Sequence, residues 1–163
     1  MQLLANLDLA QQRLAFSEIR TSELLNDPLE VTGELRLREN QVLERETLTP
    51  FVETQTLSAD SVEIRRPNGH RRRFSLDRAP ELGALREVLI AIMSGDTGPL
   101  ADAFDMTAGG QPDAWSLELR PCSDRIAERL EAMVMSGSDG RLDGLELVLT
   151  NGERIETRFH YDP

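Results

Sequence analysis

The sequence predicts a mainly β fold with a few helices, α+β in class: one unclosed, strongly curved antiparallel β-barrel whose open side is covered by a helical lid. Two patterns lead to this expectation. Most of the chain falls into short segments in which apolar and polar residues alternate with period two, separated by turns rich in Pro, Gly and Asn. Among them lies a single long apolar helical stretch, from Ala79 into Ser94-Gly95-Asp96, that is unbroken apolar from Val88 to Met93. So apolar a helix must be covered on most of its circumference, or must itself cover something apolar. An open curved sheet offers a concave apolar face that needs such a cover.

Length and charge narrow the function classes. A chain of 163 residues and 39% hydrophobic content is long enough for one domain with a real core, and residues 1–163 are read as one unit without repeats or linkers. A formal net charge of -11 argues against nucleic acid as a partner, because phosphate neutralisation needs a basic surface. No apolar run is long enough for a transmembrane segment, and the first ten residues lack the basic flank and apolar stretch of a signal peptide. The chain therefore reads as either cytosolic or already trimmed. Cys122 stands alone, which rules out a disulfide or multi-cysteine metal site within one chain.

Each element has its own signal. Leu3, Leu4, Leu7, Ala10 and Leu14 recur at spacings of three and four, which predicts an N-terminal helix over about 2–12. Residues 15–25 fit helix or strand, and Asn26-Asp27-Pro28 ends them in a turn. Residues 33–38, 42–49, 51–57, 61–66 and 72–77 read as a meander of antiparallel strands, with a turn at Pro67-Asn68-Gly69. The long helix, over about 79–94, opens on Pro80 and Glu81 and stops at Ser94-Gly95. A second lid helix follows over about 97–104. Residues 105–108 and 114–120 read as strands on either side of Gly109-Gly110, with Trp115, Leu117 and Leu119 on one face. Residues 126–136 have good helix propensity. The final hairpin, 142–150 and 153–161, turns on Asn151-Gly152 as a two-residue loop. The total is about ten strands.

Catalysis has no visible address. His70 and His160 lack partners at metal-ligand spacing, and residues 136–144 lack the repeated acids and closing Glu of a calcium loop and read as a hairpin turn. There is no Gly-x-Ser-x-Gly elbow, and the chain has no lysine for a phosphate-binding loop. Met93, Met133 and Met135 are read as core filling before pocket lining. Arg71, Arg72 and Arg73 suit the solvated face of an edge strand, though in so acidic a chain a local positive spot also suits a partner or a lipid headgroup.

The order and spacing of several segments resemble the periplasmic outer-membrane lipoprotein carriers called LolA, and more closely a LolA-like variant. The segments are Phe16-Ser17-Glu18-Ile19-Arg20; Pro28-Leu29-Glu30 with Gly33-Glu34-Leu35; Glu46-Thr47-Leu48-Thr49-Pro50; Ser94-Gly95-Asp96 with Leu100 and Phe104; Trp115-x-Leu117-x-Leu119-x-Pro121; and Gly137 to Gly140 before the last hairpin. Each alone is a packing or turn signal; together they cover residues 16–159.

The resemblance implies one LolA-like domain with an apolar cavity that receives acyl chains of lipoproteins or other lipids, and it turns residues 128–136 from helix to strand. Its expected lining is Leu35, Leu37, Leu43, Val62, Ile64 and Phe74 before the lid, Leu85, Leu89, Ile92 and Met93 within it, and Trp115, Leu117 and Leu147 after it. Where the family carries Arg-Pro-Asn-x-Phe, this chain has Leu43 at the aromatic position. Glu39 falls at the arginine unless the register slips to Arg38, the candidate lid latch. Also implied are a periplasmic location with the signal peptide removed, no cofactor, and inner-membrane donor and outer-membrane acceptor proteins as partners. Two other functions come with the scaffold: an enzyme or accessory protein of a polyketide or aryl-polyene-type pathway, and an envelope sensor that binds protein at an exposed sheet edge.

Overall fold

A computed structural model describes residues 13–94 and 96–161. The expected N-terminal helix over about 2–12 lies outside them, whereas Arg13 and Leu14 belong to the first strand. Among the described residues six strands precede the long helix: β1 (Arg13–Thr21), β2 (Leu29–Arg38), β3 (Val42–Thr49), β4 (Glu53–Leu57), β5 (Ser61–Arg65) and β6 (Arg71–Ser75). Three helices follow as α1 (Pro80–Ser94), α2 (Gly98–Ala103) and, later, α3 (Asp124–Ala127). The remaining strands are β7 (Phe104–Gln111), β8 (Ala114–Pro121), β9 (Leu130–Ser138), β10 (Arg141–Leu149) and β11 (Arg154–His160).

All eleven strands form one sheet in the order β6-β5-β4-β3-β2-β1-β11-β10-β9-β8-β7. Every neighbour is next in sequence except β1 and β11, which join the two halves of the chain. The sheet is thus an unclosed antiparallel barrel with β6 and β7 as its edges. Because α1 and α2 connect those edges, the chain has to cross the open side of the sheet where the helices sit. The lid position follows from connectivity.

Curvature is marked by glycines under aromatic rings. Phe16 faces Gly33 across β1 and β2, and a Cβ added at Gly33 would lie 2.8 Å from the Phe16 ring and 2.0 Å from the Glu46 carbonyl oxygen. Trp115 faces Gly137 across β8 and β9, where an added Cβ would lie 2.3 Å from the indole. At both sites a missing side chain lets the ring lie against the backbone of the next strand, a device that permits strong bending of a sheet.

Four sequence expectations change. Residues 15–25, open between helix and strand, are strand as far as Thr21. Helix propensity in 126–136 is overridden, in line with the strand that the resemblance implies for 128–136: only Asp124–Ala127 is helical, and β9 begins at Leu130 because its Leu130, Met133 and Met135 are buried between the flanking strands. Gly109 and Gly110 do not interrupt β7, since their backbones stay paired with Ser116 and Trp115. The last hairpin is joined by four residues, 150–153, with Leu149 N–H donating to the Glu153 carbonyl at 2.9 Å. Asp139 and Gly140, both at positive φ (48° and 76°), make the tight turn of the β9–β10 hairpin instead.

Candidate functional site

Strict alternation decides what points into the half-barrel. Along β1 the buried positions are Leu14, Phe16 and Glu18, and half-buried Arg20 continues the same face. The registers extend this face sideways as rows: Leu37, Leu43, Leu57, Val62 and Phe74 lie opposite one another in turn from β2 to β6. Thr157, Leu145, Met135 and Leu117 continue the row of Glu18 into the other half. The concave face is mostly aliphatic, and α1 lies over it.

α1 meets the sheet unequally along its length. Toward its C-terminal end, Val88 and Ile92 are fully buried and Leu89 and Met93 nearly so. At roughly 1.5–3 kcal/mol for each fully buried side chain, this half is firmly anchored. Toward the N-terminus Leu82 and Leu85 are only partly buried. Here the helix stands over a cavity of about 80 Å³. Leu82, Leu85 and Leu89 form its roof, and Phe16, Leu35, Leu43, Leu57, Leu145, Leu147, Leu149, Ile155 and Phe159 form its walls and floor.

The cavity has a polar end. Glu18 Oε2 accepts from Arg45 Nη2 at 2.9 Å and from Arg20 Nε at 2.8 Å, and the Arg45 guanidinium lies 4.8 Å from the centre of the Phe16 ring. Burial pushes the Arg45 guanidinium pKa down, and the Glu18 carboxylate opposes that shift. Gln55, Thr157 and Glu81 of the helix also line the space, and Glu81 Oε2 is buried without a hydrogen-bond partner among the described residues. The arrangement suits an amphiphile, with an aliphatic chain among the leucines and polar groups at one end.

The helix is tied down by Arg86, whose Nη2 donates to the Gln41 carbonyl at 2.6 Å and whose Nε donates to the Leu57 carbonyl at 3.4 Å. Arg125 on α3 donates to the Asp77 carbonyl at 2.8 Å just ahead of α1. Arg38, the candidate latch, pairs with Glu44 at 2.9 Å across β2 and β3. The side chain of an extended residue on that strand is committed to the sheet, while Arg86 reaches down from the helix itself.

Of the lining residues expected from sequence, Leu35, Leu43, Leu85, Leu89 and Leu147 meet at the cavity. Val62, Ile92, Met93, Trp115 and Leu117 are buried in the core around it. Leu37, Ile64 and Phe74 pack half-buried against that core, and Ile64 borders a separate cleft near the β5–β6 turn. Sequence reasoning missed Phe16, Glu18, Arg20, Arg45, Gln55 and Glu81. The signal was present: Leu43, Arg45 and Thr47 share one strand face, as do Glu53, Gln55 and Leu57, so charged side chains had to point inward with the leucines. Met133 and Met135 are fully buried. His160 shares a 2.8 Å hydrogen bond with Ser17. Among the described residues no cluster of His, Cys, Asp or Glu is placed to hold a metal ion, and no helix is long and apolar enough to cross a membrane.

A sequence profile described as outer membrane lipoprotein carrier protein LolA-like matches residues 1–160. No curated protein matches the chain significantly. Similar solved structures include a LolA superfamily protein from Nitrosomonas europaea, at 9% identity and a TM-score of 0.49, covering 98% of this chain and 89% of that one. A Vibrio parahaemolyticus domain named for outer membrane lipoprotein sorting has 10% identity and a TM-score of 0.49, with 98% and 88% covered. The Pseudomonas aeruginosa MucA/MucB complex has 13% identity and a TM-score of 0.42, with 99% of this chain and 56% of that one covered.

Proposed function

This chain belongs to the LolA-like family of outer membrane lipoprotein carrier proteins, and on that premise we propose that it carries acyl chains of lipoproteins or other lipids through the periplasm, without a cofactor and without catalysis. The observation that carries the reading is the leucine-lined cavity beneath the N-terminal half of α1. Its cargo is a long-chain amphiphile whose tail takes the place of Leu82, Leu85 and Leu89, with its polar linkage near Glu18, Arg45 and Gln55. Donor and acceptor proteins at the inner and outer membranes load and unload it.

The energetics suit such a carrier. A buried methylene contributes about 0.8 kcal/mol, so one long acyl chain offers on the order of 10 kcal/mol gross. At about 80 Å³ the closed cavity is well below the roughly 300–1,000 Å³ of pockets that enclose a drug-sized ligand. Loading therefore requires the roof to lift, and the first half of α1, whose Leu82 and Leu85 are only partly buried and which Arg86 ties to the sheet, is the part that lifts. Closing the roof and holding cargo compete for the same apolar surface, so the affinity for cargo is set by its preference for the open state.

The test is titration of delipidated protein with a fluorescent long-chain fatty acid, with native mass spectrometry of gently purified protein in parallel. Saturable binding that competes with unlabelled acyl chains is expected. Leu85→Asp and Leu145→Asp, which put charge into the roof and the floor, should each weaken it at least tenfold. Protein that is empty as purified and also refuses the probe overturns the reading.

A further inference from the structure

The rim of the half-barrel carries two features that the cavity does not use. Antiparallel order places the connections 22–28, 50–52 and 66–70 at the same end of neighbouring strands. Two of these tips are apolar and exposed: Leu24 is 94% exposed and Leu25 is exposed beside it, and Phe51 and Val52 are about half exposed at 48% and 46%. Isolated exposed leucines are ordinary, but several at adjacent tips form a patch. The third tip is basic. Arg65, Arg66, Arg71, Arg72 and Arg73 crowd the β5–β6 hairpin.

Acid residues neutralise only part of that charge. Glu63 pairs with both Arg65 and Arg71 at 3.3 Å, and Glu53 pairs with Arg66 at 3.2 Å. Arg73 donates to Ser61 Oγ, and Arg72 lies over the Phe74 ring. At the β5–β6 hairpin five arginines stand against two glutamates, a positive spot on a chain whose formal charge is -11, while Glu23 and Asp27 flank Leu24 and Leu25 on the 22–28 tip, so the basic side of the rim is the hairpin side. Arg66, His70, Arg71 and Arg72 also line a cleft of about 310 Å³ together with Glu53 and Ile64. The Arg66 guanidinium stands 5.9 Å from the Phe51 ring, so basic cleft and apolar tip are contiguous. Protection of the β6 edge from strand pairing would explain arginines on that strand. It does not explain exposed Leu24, Phe51 and Val52 along the same rim.

We infer that this rim docks on an anionic bilayer surface: lipid phosphates enter the arginine cleft while Leu24, Leu25, Phe51 and Val52 dip into the boundary between headgroups and acyl chains. Interfacial binding of this kind combines a small buried apolar area with attraction of basic residues to acidic lipid. The charge complementarity selects acidic lipid over neutral lipid. The same rim leads to the cavity, whose lining includes Arg20, Leu149 and Ile155 from the strand ends nearest the 22–28 and 150–153 connections. Docking does not depend on what the cavity holds, and it is measured without any acyl probe.

The experiment is co-sedimentation of the full chain with phosphatidylcholine vesicles with and without phosphatidylglycerol. Binding is expected only with phosphatidylglycerol, falling as salt is raised. R71Q/R72Q should lower partitioning by roughly thirtyfold, from about 1 kcal/mol per basic residue. F51S/V52S should lower it by roughly tenfold at unchanged salt dependence. Equal binding to both vesicle types, no effect of either variant, or complete displacement by inorganic phosphate, which would mark a soluble-anion site, overturns the inference. Unchanged urea midpoints show that the surface variants are folded; if one is not, the lipid and salt dependence of the unmodified chain decides.

Discussion

Replacing Arg86 by Met removes the guanidinium that ties the roof to the sheet while keeping most of its apolar stem. Two bonds are lost, a short one to the Gln41 carbonyl at 2.6 Å and a long one to the Leu57 carbonyl at 3.4 Å. A hydrogen bond from a charged donor contributes about 1.5–3 kcal/mol. Arg86 is only partly buried and its second bond is near the limit of hydrogen bonding, so the pair together is assigned about 1.5–2 kcal/mol. Burial pushes the Arg86 pKa down and Glu87 opposes it, as for a guanidinium that has given up water for carbonyl partners. Each 1.4 kcal/mol is a factor of ten, so the open population should rise roughly 10- to 30-fold. If opening limits loading, apparent affinity for a fluorescent fatty acid rises by the same factor until the open form dominates. Urea denaturation should show a stability loss no larger than about 2 kcal/mol. The outcome that refutes this reasoning is a stability loss of that size with probe affinity unchanged or weaker, which would make Arg86 an anchor of a helix that does not gate the cavity.

Three further outcomes follow from the packing. Gly137→Ala should destabilise the fold by about 1–3 kcal/mol in urea, because the new Cβ would lie 2.1 Å from the Arg141 carbonyl oxygen and 2.3 Å from the Trp115 ring. Glu18→Leu alone should cost about 3 kcal/mol by stranding the buried Arg45, whereas Glu18→Leu with Arg45→Met should recover to within about 1 kcal/mol of the unmodified chain; equal costs for single and double variants would mean the pair is solvated. The Tyr161 phenol, whose O–H donates to the Leu142 carbonyl, has its pKa pushed up to about 12 by burial and by Asp143. A raised folded-state pKa favours the neutral form, so its stabilisation is complete below the ordinary value near 10 and is lost as pH rises toward about 12. Thermal melts of Tyr161→Phe should therefore lack part of the alkaline decline over that window.

Much of this architecture is legible because local chemistry and tertiary environment agree. Residues 42–49 form β3 as their alternation suggests, and Pro80 with Glu81 at one end and Ser94 at the other bound α1 as expected. Agreement fails where neighbours outvote propensity. Leu130 to Met135 could bury their apolar side chains on a helix, but β8 and β10 leave a gap that only a strand with those side chains can fill. The cavity wall was half legible. Leu35, Leu43, Leu85, Leu89 and Leu147 are apolar positions of the right elements, and so are Val62, Ile92 and Leu117, which pack beside the space without bordering it. Period and polarity identify the inward face without locating a void along it.

By itself the sequence determined the fold class, the long helix α1 and the family of LolA-like carriers, because each rests on patterning and order along the chain. Tertiary structure alone decided the rest. Registry across β1, β2 and β3 brings Glu18, from one strand, against Arg45, two strands away, and no spacing in the sequence encodes that meeting. Arg86 rather than Arg38 ties the helix to the sheet, because a helix crossing the open side of the sheet lowers its side chain onto carbonyls of residues 41 and 57, whereas Arg38 is held by Glu44 within the sheet. The 22–28, 50–52 and 66–70 turns become one rim only because antiparallel strands bring every second connection to the same end. Contacts of this kind are set by which distant backbones pair, and pairing is a property of the whole sheet.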